Sequence, residues 1–351
     1  MSAVVDTLYS VNAWCKKHVI VTAAVLIAVM LALPQIYGKS YFMGVMCRIC
    51  LYALLAGALN IINGYSGMTC LGAAGFFCVG AYTEAILSTH AAWNFWLALP
   101  VAGIVTAVIG LLVALPTLKM SGIYLSIVTL GFSEIARLIA LNWTALTGGA
   151  LGIKGIPIPQ FFGIAIRNPR RYYYVFLGFA ILFLFVSHRV INSRIGRAWM
   201  SIRENELAAK SLGVDSSRYK ISNFMYGAFW IGVAGAIYAP YVRFIDSTYF
   251  TLDEGWNILS MVIIGGQGTL VGPVVGSIIV NFLTEVLRPI GQWRLVAYAL
   301  LIIIMMWFRP QGLVGASAVA GNLSLRRFVK RARKAGKTKS SDGKRDTEAA
   351  R

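Results

Sequence analysis

Long apolar segments separated by short polar ones dominate the chain. Segments 19–33, 172–186, 221–242 and 295–308 contain no Asp, Glu, Lys or Arg. A helix of about 20 apolar residues spans a bilayer, and most of these segments approach or exceed that length. The alternating pattern of membrane barrel strands does not occur. Because backbone polar groups inside a bilayer must be satisfied within the structure, we predict an all-α polytopic membrane helix bundle.

The apolar segments predict about ten transmembrane helices. These cover residues 19–36, 41–62, 70–88, 93–115, 121–141, 171–188, 221–242, 255–267, 270–288 and 293–309. The predicted organisation is an N-terminal segment 1–18, a transmembrane domain 19–321 that includes a polar loop at 189–220, and a basic, disordered tail at 322–351. The apolar run after Lys16 and Lys17 lacks a small-residue cleavage site, so we interpret it as a retained helix.

The composition supports a membrane protein and gives its orientation. Of 351 residues, 58% are hydrophobic and 13% charged, with a net charge of +19, which is unlike a soluble domain. Most Lys and Arg residues fall in segments on one side of the predicted bundle, namely 1–18, 189–220 and the region after 309. The positive-inside rule makes that side the cytoplasm, and an even number of helices places both termini there.

The basic tail and several short motifs give no evidence for catalysis. The tail is expected to lie along the anionic inner membrane face or to be solvated, and we expect no nucleic-acid partner. The three histidines lack metal-ligand spacing, and the pair Cys47 and Cys50 stands alone, so no metal site is predicted. The Gly336-Lys-Thr338 tripeptide lacks the other features of a phosphate-binding loop. We therefore predict that the chain is not an enzyme and holds no cofactor.

Two glycine-rich polar interruptions resemble the breaks of discontinuous membrane helices. Tight helix packing through small residues is the alternative explanation for any single glycine. The predicted pathway or hinge residues at these interruptions are Asn63, Gly64, Ser66, Gly67, Gly265, Gly266 and Gln267.

Few ionisable groups fall inside the predicted helices. Glu134 and Arg137 are three residues apart, so they share a helix face and can neutralise one another. A charged group within the membrane is costly and often functional, so the pair is also a candidate for the solute pathway. The absence of an acidic cluster argues against an ion-coupled secondary transporter.

The polar loop contains a short predicted helix. Asn205 can cap its start, Glu206 suits its positive N-terminal end, and Gly213 is a natural terminator. Leu207 and Leu212 offer apolar contacts, and the small residues Ala208 and Ala209 permit close approach to a partner. A simple surface helix is the alternative interpretation.

The Glu-x-Ala-Ala-x-x-x-Gly pattern from Glu206 to Gly213 resembles the coupling loop of ABC importer permeases. Further motifs are spread over most of the chain, namely Leu59-Asn-Ile-Ile-Asn-Gly-Tyr-Ser-Gly67, Leu71-Gly72, Gly80-Ala-Tyr82, Gly122-Ile-Tyr124, Thr129-Leu-Gly-Phe-Ser-Glu-Ile-Ala-Arg137, Asn142-Trp143, Leu146-Thr-Gly-Gly149, Gly152-Ile153 and Arg309-Pro-Gln-Gly-Leu313. In this order they resemble the permeases of high-affinity branched-chain amino acid importers, and specifically the longer of the two homologous permeases.

The resemblance implies a permease subunit of the bacterial inner membrane that works with a second homologous permease, two cytoplasmic ATPase subunits that use ATP, and a periplasmic binding protein. It implies that the loop 189–220 docks into the ATPases, and that the outer loop 142–171 contacts the binding protein. The implied coupling residues are Arg197, Glu204, Asn205, Glu206, Leu207, Ala208, Ala209 and Gly213.

Branched-chain or related amino acids are the implied solutes. Importers of urea and short amides are similar, and Ala73 stands where many relatives carry a polar residue, so both solute classes remain open. Two functions outside the importer family compete with this interpretation. An ion-coupled secondary transporter would work without ATPases, and a purely structural membrane subunit would have no need of the coupling-loop pattern.

Overall fold

The computed structural model describes residues 40–118, 120, 122–161 and 164–288, together with residues 30, 34, 35, 296, 299, 300, 303, 307 and 312–314. Most of the predicted first helix (19–36) and tenth helix (293–309), both termini and the basic tail therefore lie outside the described residues.

The described part of the chain is mainly helical. Its α-helices are α1 Ser40–Asn60, α2 Ala73–Thr89, α3 Phe95–Thr117, α4 Ile123–Asn142, α5 Thr144–Thr147, α6 Pro169–Ile191, α7 Arg194–Glu204, α8 Glu206–Ser211, α9 Ser216–Val242, α10 Leu252–Gly265 and α11 Val271–Val286. A π-helical turn, Ile61–Tyr65, extends α1, and short 3₁₀ turns cover Gly149–Leu151 and Ser247–Phe250. The predicted helices from 41–62 to 270–288 are all present, within a few residues of their predicted ends.

The longest helix, α9, lies at the centre of the bundle. It packs along α3, α2 and α1, while α1 also packs against α6 and α11. Where α2 crosses α9, Gly80 lies directly against the backbone of Gly232, so a side chain at position 80 would collide with that backbone. Small residues of this kind let membrane helices approach closely.

Among the described residues, five helices are long and apolar enough to cross a membrane: Ser40–Tyr65 with its π-helical turn, and α3, α4, α6 and α9. Several of them expose apolar side chains outward, including Leu97, Leu112 and Ile127. Outward apolar faces on helices of this length suit a lipid environment. The chain is thus a multi-pass, all-α membrane bundle.

Two small strand pairs lie in and beside the loop between α4 and α6, and the sequence did not predict them. Strand β1 (Ile153–Lys154) pairs antiparallel with β4 (Phe244–Ile245), and β2 (Gln160–Phe161) pairs with β3 (Ile164–Ala165). The first pair ties this loop to the end of α9. Strands of two residues are too short to produce an alternating sequence pattern.

Candidate functional site

The short helix α8 is defined at both ends by its own sequence. Asn205 caps its start, because the side-chain Oδ1 accepts a hydrogen bond from the amide of Ala208 at 3.1 Å. At its end, the amide of Gly213 donates to Lys210 and the amide of Val214 donates to Ala209. This bond pattern is the Schellman motif, and it requires the left-handed backbone that Gly213 adopts at φ +83°. The predicted cap and terminator are both confirmed.

Ionic contacts of Glu206 hold α8 against the start of α9. Its carboxylate lies 2.7 Å from the ammonium of Lys220 and 3.0 Å from that of Lys210. The Lys220 side chain is only 11% exposed. Burial raises the pKa of Glu206, but the bonds from the two lysines outweigh burial and leave that pKa below its usual value. Glu206 is therefore ionised at neutral pH and attaches the short helix to the bundle.

The outward surface of α8 and its C-cap Leu212 is mainly apolar, although Lys210 and Ser211 are also exposed. Leu207 is 76% exposed and Leu212 is 85% exposed, and Ala208 between them is also exposed. Ala209 is instead buried at 3% exposure. The prediction that both alanines face a partner is therefore wrong for Ala209: this side chain packs inward, where Val214 closes the end of the helix.

Helix α7 connects α6 to α8 and is fixed by a buried tryptophan. Trp199 is 1% exposed, and its indole N–H donates to the carbonyl of Tyr219 on α9 at 2.9 Å. Arg197 donates to the carbonyl of Asn192 at 3.1 Å, and Glu204 is exposed beside the α8 cap. The predicted coupling residues thus lie on two short helices, α7 and α8, which are both anchored to α9.

The first predicted break is present at the end of α1. The helix widens into the π-helical turn and then loses regular structure before α2 begins at Ala73. Asn63 exchanges two hydrogen bonds with the backbone of Cys70, at 3.0 and 3.1 Å. Ser66 Oγ donates to the Ile62 carbonyl at 2.9 Å, and Gly67 has φ +72°. These side chains satisfy backbone groups that the broken helix leaves free.

Asn223 on α9 also supports the first break. It is fully buried, and its amide donates to the carbonyl of Ile61 at 3.0 Å. Its Oδ1 lies 3.1 Å from Ser66 Oγ. Asn223 was not among the predicted residues, although a lone amide in an otherwise apolar membrane helix is a recognisable indication of such a role.

The second predicted break separates α10 from α11. Helix α10 ends at Gly265, Gly266 has φ +113°, and Gln267 lies in the turn that follows. Farther along the chain, the amides of Leu313 and Val314 donate to the carbonyls of Ile264 and Gly265, both at 3.0 Å. The end of α10 is thereby capped by the last residue of the Arg309-Pro-Gln-Gly-Leu313 motif and by the residue that follows it.

Asn60 joins the two breaks. Its side-chain amide donates to the carbonyl of Thr269 at 2.8 Å, and its Oδ1 accepts from the amide of Gly268 at 2.9 Å. Gly64 lies so close to this pair that any side chain at position 64 would collide with Asn60 and with the backbone of Gly268. The structure thus places the two glycine-rich interruptions side by side, and Asn60 is a further residue that the sequence patterns did not single out.

Arg203, near the end of α7, reaches the same place. Its guanidinium donates to the backbone carbonyl of Gly64. A side chain added to Gly268 would collide with that guanidinium, and one added to Gly67 would press on the arginine's aliphatic part. The loop that was predicted to dock into the ATPases and both predicted breaks therefore meet at the Arg203 side chain. Arg203 was not among the predicted site residues.

Glu134 and Arg137 form the predicted pair on α4. The Arg137 Nε lies 3.1 Å from both carboxylate oxygens of Glu134. The two side chains remain 34% and 23% exposed on the surface of the described chain. The pair therefore neutralises itself and still lies on an outward face.

The described residues contain no group of three or more His, Cys, Asp or Glu side chains placed to hold a metal ion. Cys47, Cys50, Cys70 and Cys78 are buried with free thiols, in keeping with small packing residues.

Comparison with known proteins places the chain in a transport family. Residues 41–308 match the family model described as the branched-chain amino acid transport system / permease component. The high-affinity branched-chain amino acid transport system permease proteins LivM of Salmonella typhimurium and Escherichia coli strain K12 are each 35% identical over 287 residues, covering 75% of this chain and 68% of the relative.

The corresponding permease protein LivH of Escherichia coli strain K12 is 24% identical over 303 residues, covering 76% of this chain and 92% of the relative. No solved structure matches the chain. The family match covers well over half of the sequence, and the two LivM relatives are matched over two thirds of their length. The chain belongs to the family of branched-chain amino acid transport system permease components.

Proposed function

We propose that the chain is one of two homologous permeases of an ATP-driven importer in a bacterial inner membrane. Two cytoplasmic ATPase subunits and a periplasmic binding protein complete the complex, and the solutes are branched-chain amino acids. The names of the relatives support the solute class and a second permease. Urea or short amides are the alternative solutes, because the sequence also resembles the permeases of their importers. The chain needs no cofactor of its own.

One observation carries the ATPase-docking role: α8 presents Leu207, Ala208 and Leu212 outward while its opposite side is tied to α9. Large exposed apolar side chains on a short, firmly anchored helix are suited to insertion into a groove of another protein. The bond between Glu206 and Lys220 fixes the helix before docking, so little ordering entropy is lost on association.

The proposed topology has ten transmembrane helices with both termini in the cytoplasm. The loop with α7 and α8 lies on the cytoplasmic side, and Lys154 lies on the periplasmic side, where loop 142–171 contacts the binding protein. The excess of Lys and Arg on the cytoplasmic segments supports this orientation. The pairing of β1 with β4 gives the outer loop a defined shape for such a contact.

Helix α4 is the proposed contact with the second permease and the solute pathway. Most of its length is left uncovered by the other described residues, and its outward surface includes Glu134 and Arg137. Charged groups facing lipid are costly, so the surface that carries them is expected to face protein or a water-filled pathway.

The experiment that tests the docking role compares two variants. In the double variant Leu207→Gln/Leu212→Gln, the apolar docking face is lost while the Asn205 cap and the Glu206 ion pairs remain. Ile195→Gln is the matched control, because Ile195 is an exposed aliphatic residue at the start of α7, at 43% exposure. Both proteins are purified from membranes that contain the second permease and the ATPases.

The double variant is expected to insert and to retain the second permease. The amount of ATPase that co-purifies with it is expected to fall roughly tenfold or more, because the burial of two leucines at the interface would be lost. The control is expected to retain the ATPase. Equal ATPase recovery with the double variant and the wild type would show that α8 is only a surface helix, and would exclude the docking role.

A further inference from the structure

Arg203 lies between the proposed docking helix and the two helix breaks. It is in the last turn of α7, two residues before the Asn205 cap of α8. Any displacement of α8 is therefore passed to the backbone that carries Arg203. Trp199, bonded to α9 one turn earlier, limits how that backbone can move.

At the first break, Arg203 bonds to the backbone carbonyl of Gly64, which lies in an irregular part of the helix. Gly64 lies in the π-helical turn, where the regular pattern of helical hydrogen bonds is interrupted. A guanidinium donor forms a stronger bond with such a carbonyl than a neutral donor does. Because the acceptor is main chain, a movement of Arg203 acts on the course of the helix itself.

The second break is attached to the same point. Asn60 holds the backbone of Gly268 and Thr269 through two hydrogen bonds, and Gly268 packs against the Arg203 guanidinium. The end of α1, the turn between α10 and α11, and α7 thus form one polar junction. We call the four residues Asn60, Gly64, Arg203 and Gly268 the junction.

We propose that Arg203 is the positioning residue that links movement of the ATPase-docking helix to both broken helices. This inference rests on the proposed function, because it assumes that α8 docks into an ATPase. Arg203 itself contacts neither the ATPase nor the solute. Through the junction it fixes the positions of the two breaks relative to α7. When the two ATPase subunits close on each other and move α8, both breaks therefore move together.

The test uses the complete importer in proteoliposomes, with the second permease, the ATPases and the binding protein. In Arg203→Met, the aliphatic part that packs on Gly67 remains but the donor is lost. In Arg203→Lys, a charged donor for the Gly64 carbonyl remains. Arg194→Gln removes a charge from an exposed position at the start of α7 and is the matched control. Co-purified ATPase and the stimulation of ATP hydrolysis by loaded binding protein are measured for each variant.

The Met variant is expected to retain its ATPase and its basal hydrolysis but to lose about tenfold in stimulation, the effect of one charge-assisted hydrogen bond. The Lys variant is expected to retain most of the stimulation, and the control all of it. Hydrogen exchange in the Met variant is expected to increase in both 61–69 and 266–272. If the Met variant does not insert or does not retain the second permease, Arg203→Leu, which also lacks a donor, replaces it in the comparison with Lys.

Equal stimulation in the Met and Lys variants would overturn the proposal, as would loss of the ATPase from the Met variant, which would make Arg203 part of the docking contact. These outcomes are distinct from failure of the docking role. If Leu207→Gln/Leu212→Gln loses its ATPase while Arg203→Met remains fully stimulated, docking by α8 stands and only the linking role of Arg203 fails.

Discussion

At the scale of single residues, several polar side chains in the membrane part of this chain have specific partners, and two of them lie where backbone order is interrupted. Asn63 and Asn223 satisfy free carbonyls and amides near the end of α1, and Glu134 satisfies Arg137. A polar group left without a partner in such surroundings costs free energy. Each of these side chains is therefore tied to a specific partner.

The Glu134 and Arg137 pair leads to a prediction about single and double substitutions. Glu134→Ala leaves the guanidinium of Arg137 without its counter-charge, whereas Glu134→Ala/Arg137→Ala removes both charges. The pair is partly exposed in the described chain, but in the proposed heterodimer the remaining charge would face protein, so loss of one partner costs more than loss of both. The yield of assembled heterodimer should therefore be several-fold lower for the single variant than for the double variant.

A second measurement, solute uptake per assembled complex, separates a stabilising role of the pair from a role in the pathway. If the single and double variants assemble equally well but both lose uptake, the pair acts on the solute in the pathway, and its stabilising role is refuted.

Sequence rules predicted residues whose partners are local. The cap at Asn205 and the left-handed Gly213 follow from rules that span a few positions. Arg203, Asn60 and Asn223 were missed because their partners lie 139, 208 and 162 residues away. Nothing in the local pattern specifies such distances. Ala209 was assigned to the wrong face because α8 is too short for periodicity to distinguish its two sides.

At the scale of secondary-structure elements, the attachment of α8 depends more on the ion pair of Glu206 with Lys220 than on that of Glu206 with Lys210. Lys220 is nearly buried, whereas Lys210 is 52% exposed and lies one turn along the same helix as Glu206. An exposed pair at this spacing contributes about 0.3–0.5 kcal/mol. Loss of a partner from a buried charged group costs about 1–3 kcal/mol.

Glu206→Gln is therefore expected to loosen α8, while Lys210→Gln serves as a control that is expected to leave it nearly unchanged. Hydrogen exchange of residues 206–214 measures the difference. Because the pKa of Glu206 is lower when folded than when unfolded, its stabilising contribution is complete above the ordinary Glu pKa of about 4.3 and declines as the pH falls through the folded value.

After correction for the intrinsic rate, protection of α8 should thus be constant from about pH 7 to pH 5 and decrease below about pH 4. Equal protection in Glu206→Gln and the wild type would mean that the ion pair with Lys220 does not hold the helix.

The elements themselves were largely predictable, because apolar runs of membrane length and glycine-rich interruptions are strong patterns. Regular helical structure ends at the predicted interruptions near Gly64 and Gly266, while their role in a pathway or hinge remains a prediction. Their proximity was not predicted, since it results from packing of α11 against α1. The pairing of β1 with β4 connects residues 153 and 245, and neither strand is long enough to be recognised alone.

At the scale of the whole molecule, the described bundle has one firmly packed centre and two surfaces that differ in chemistry. Around α9 the helices approach through small residues, whereas α4 leaves most of its length uncovered. On the side of α7 and α8, a short helix projects two leucines away from the bundle. This asymmetry is expected of a subunit that meets a second permease through α4 and an ATPase through α8.

Site-specific photo-crosslinking from the outward face of α8 tests the docking of this helix into the ATPase most directly. A photoreactive phenylalanine analogue replaces Leu212 in the complete importer, and in a second sample it replaces Ile195 as a control. We expect an ATP-sensitive crosslink from position 212 to the ATPase subunit and much less from position 195. Crosslinks from position 212 to lipid alone, in a complex that transports solute normally, would contradict the docking role.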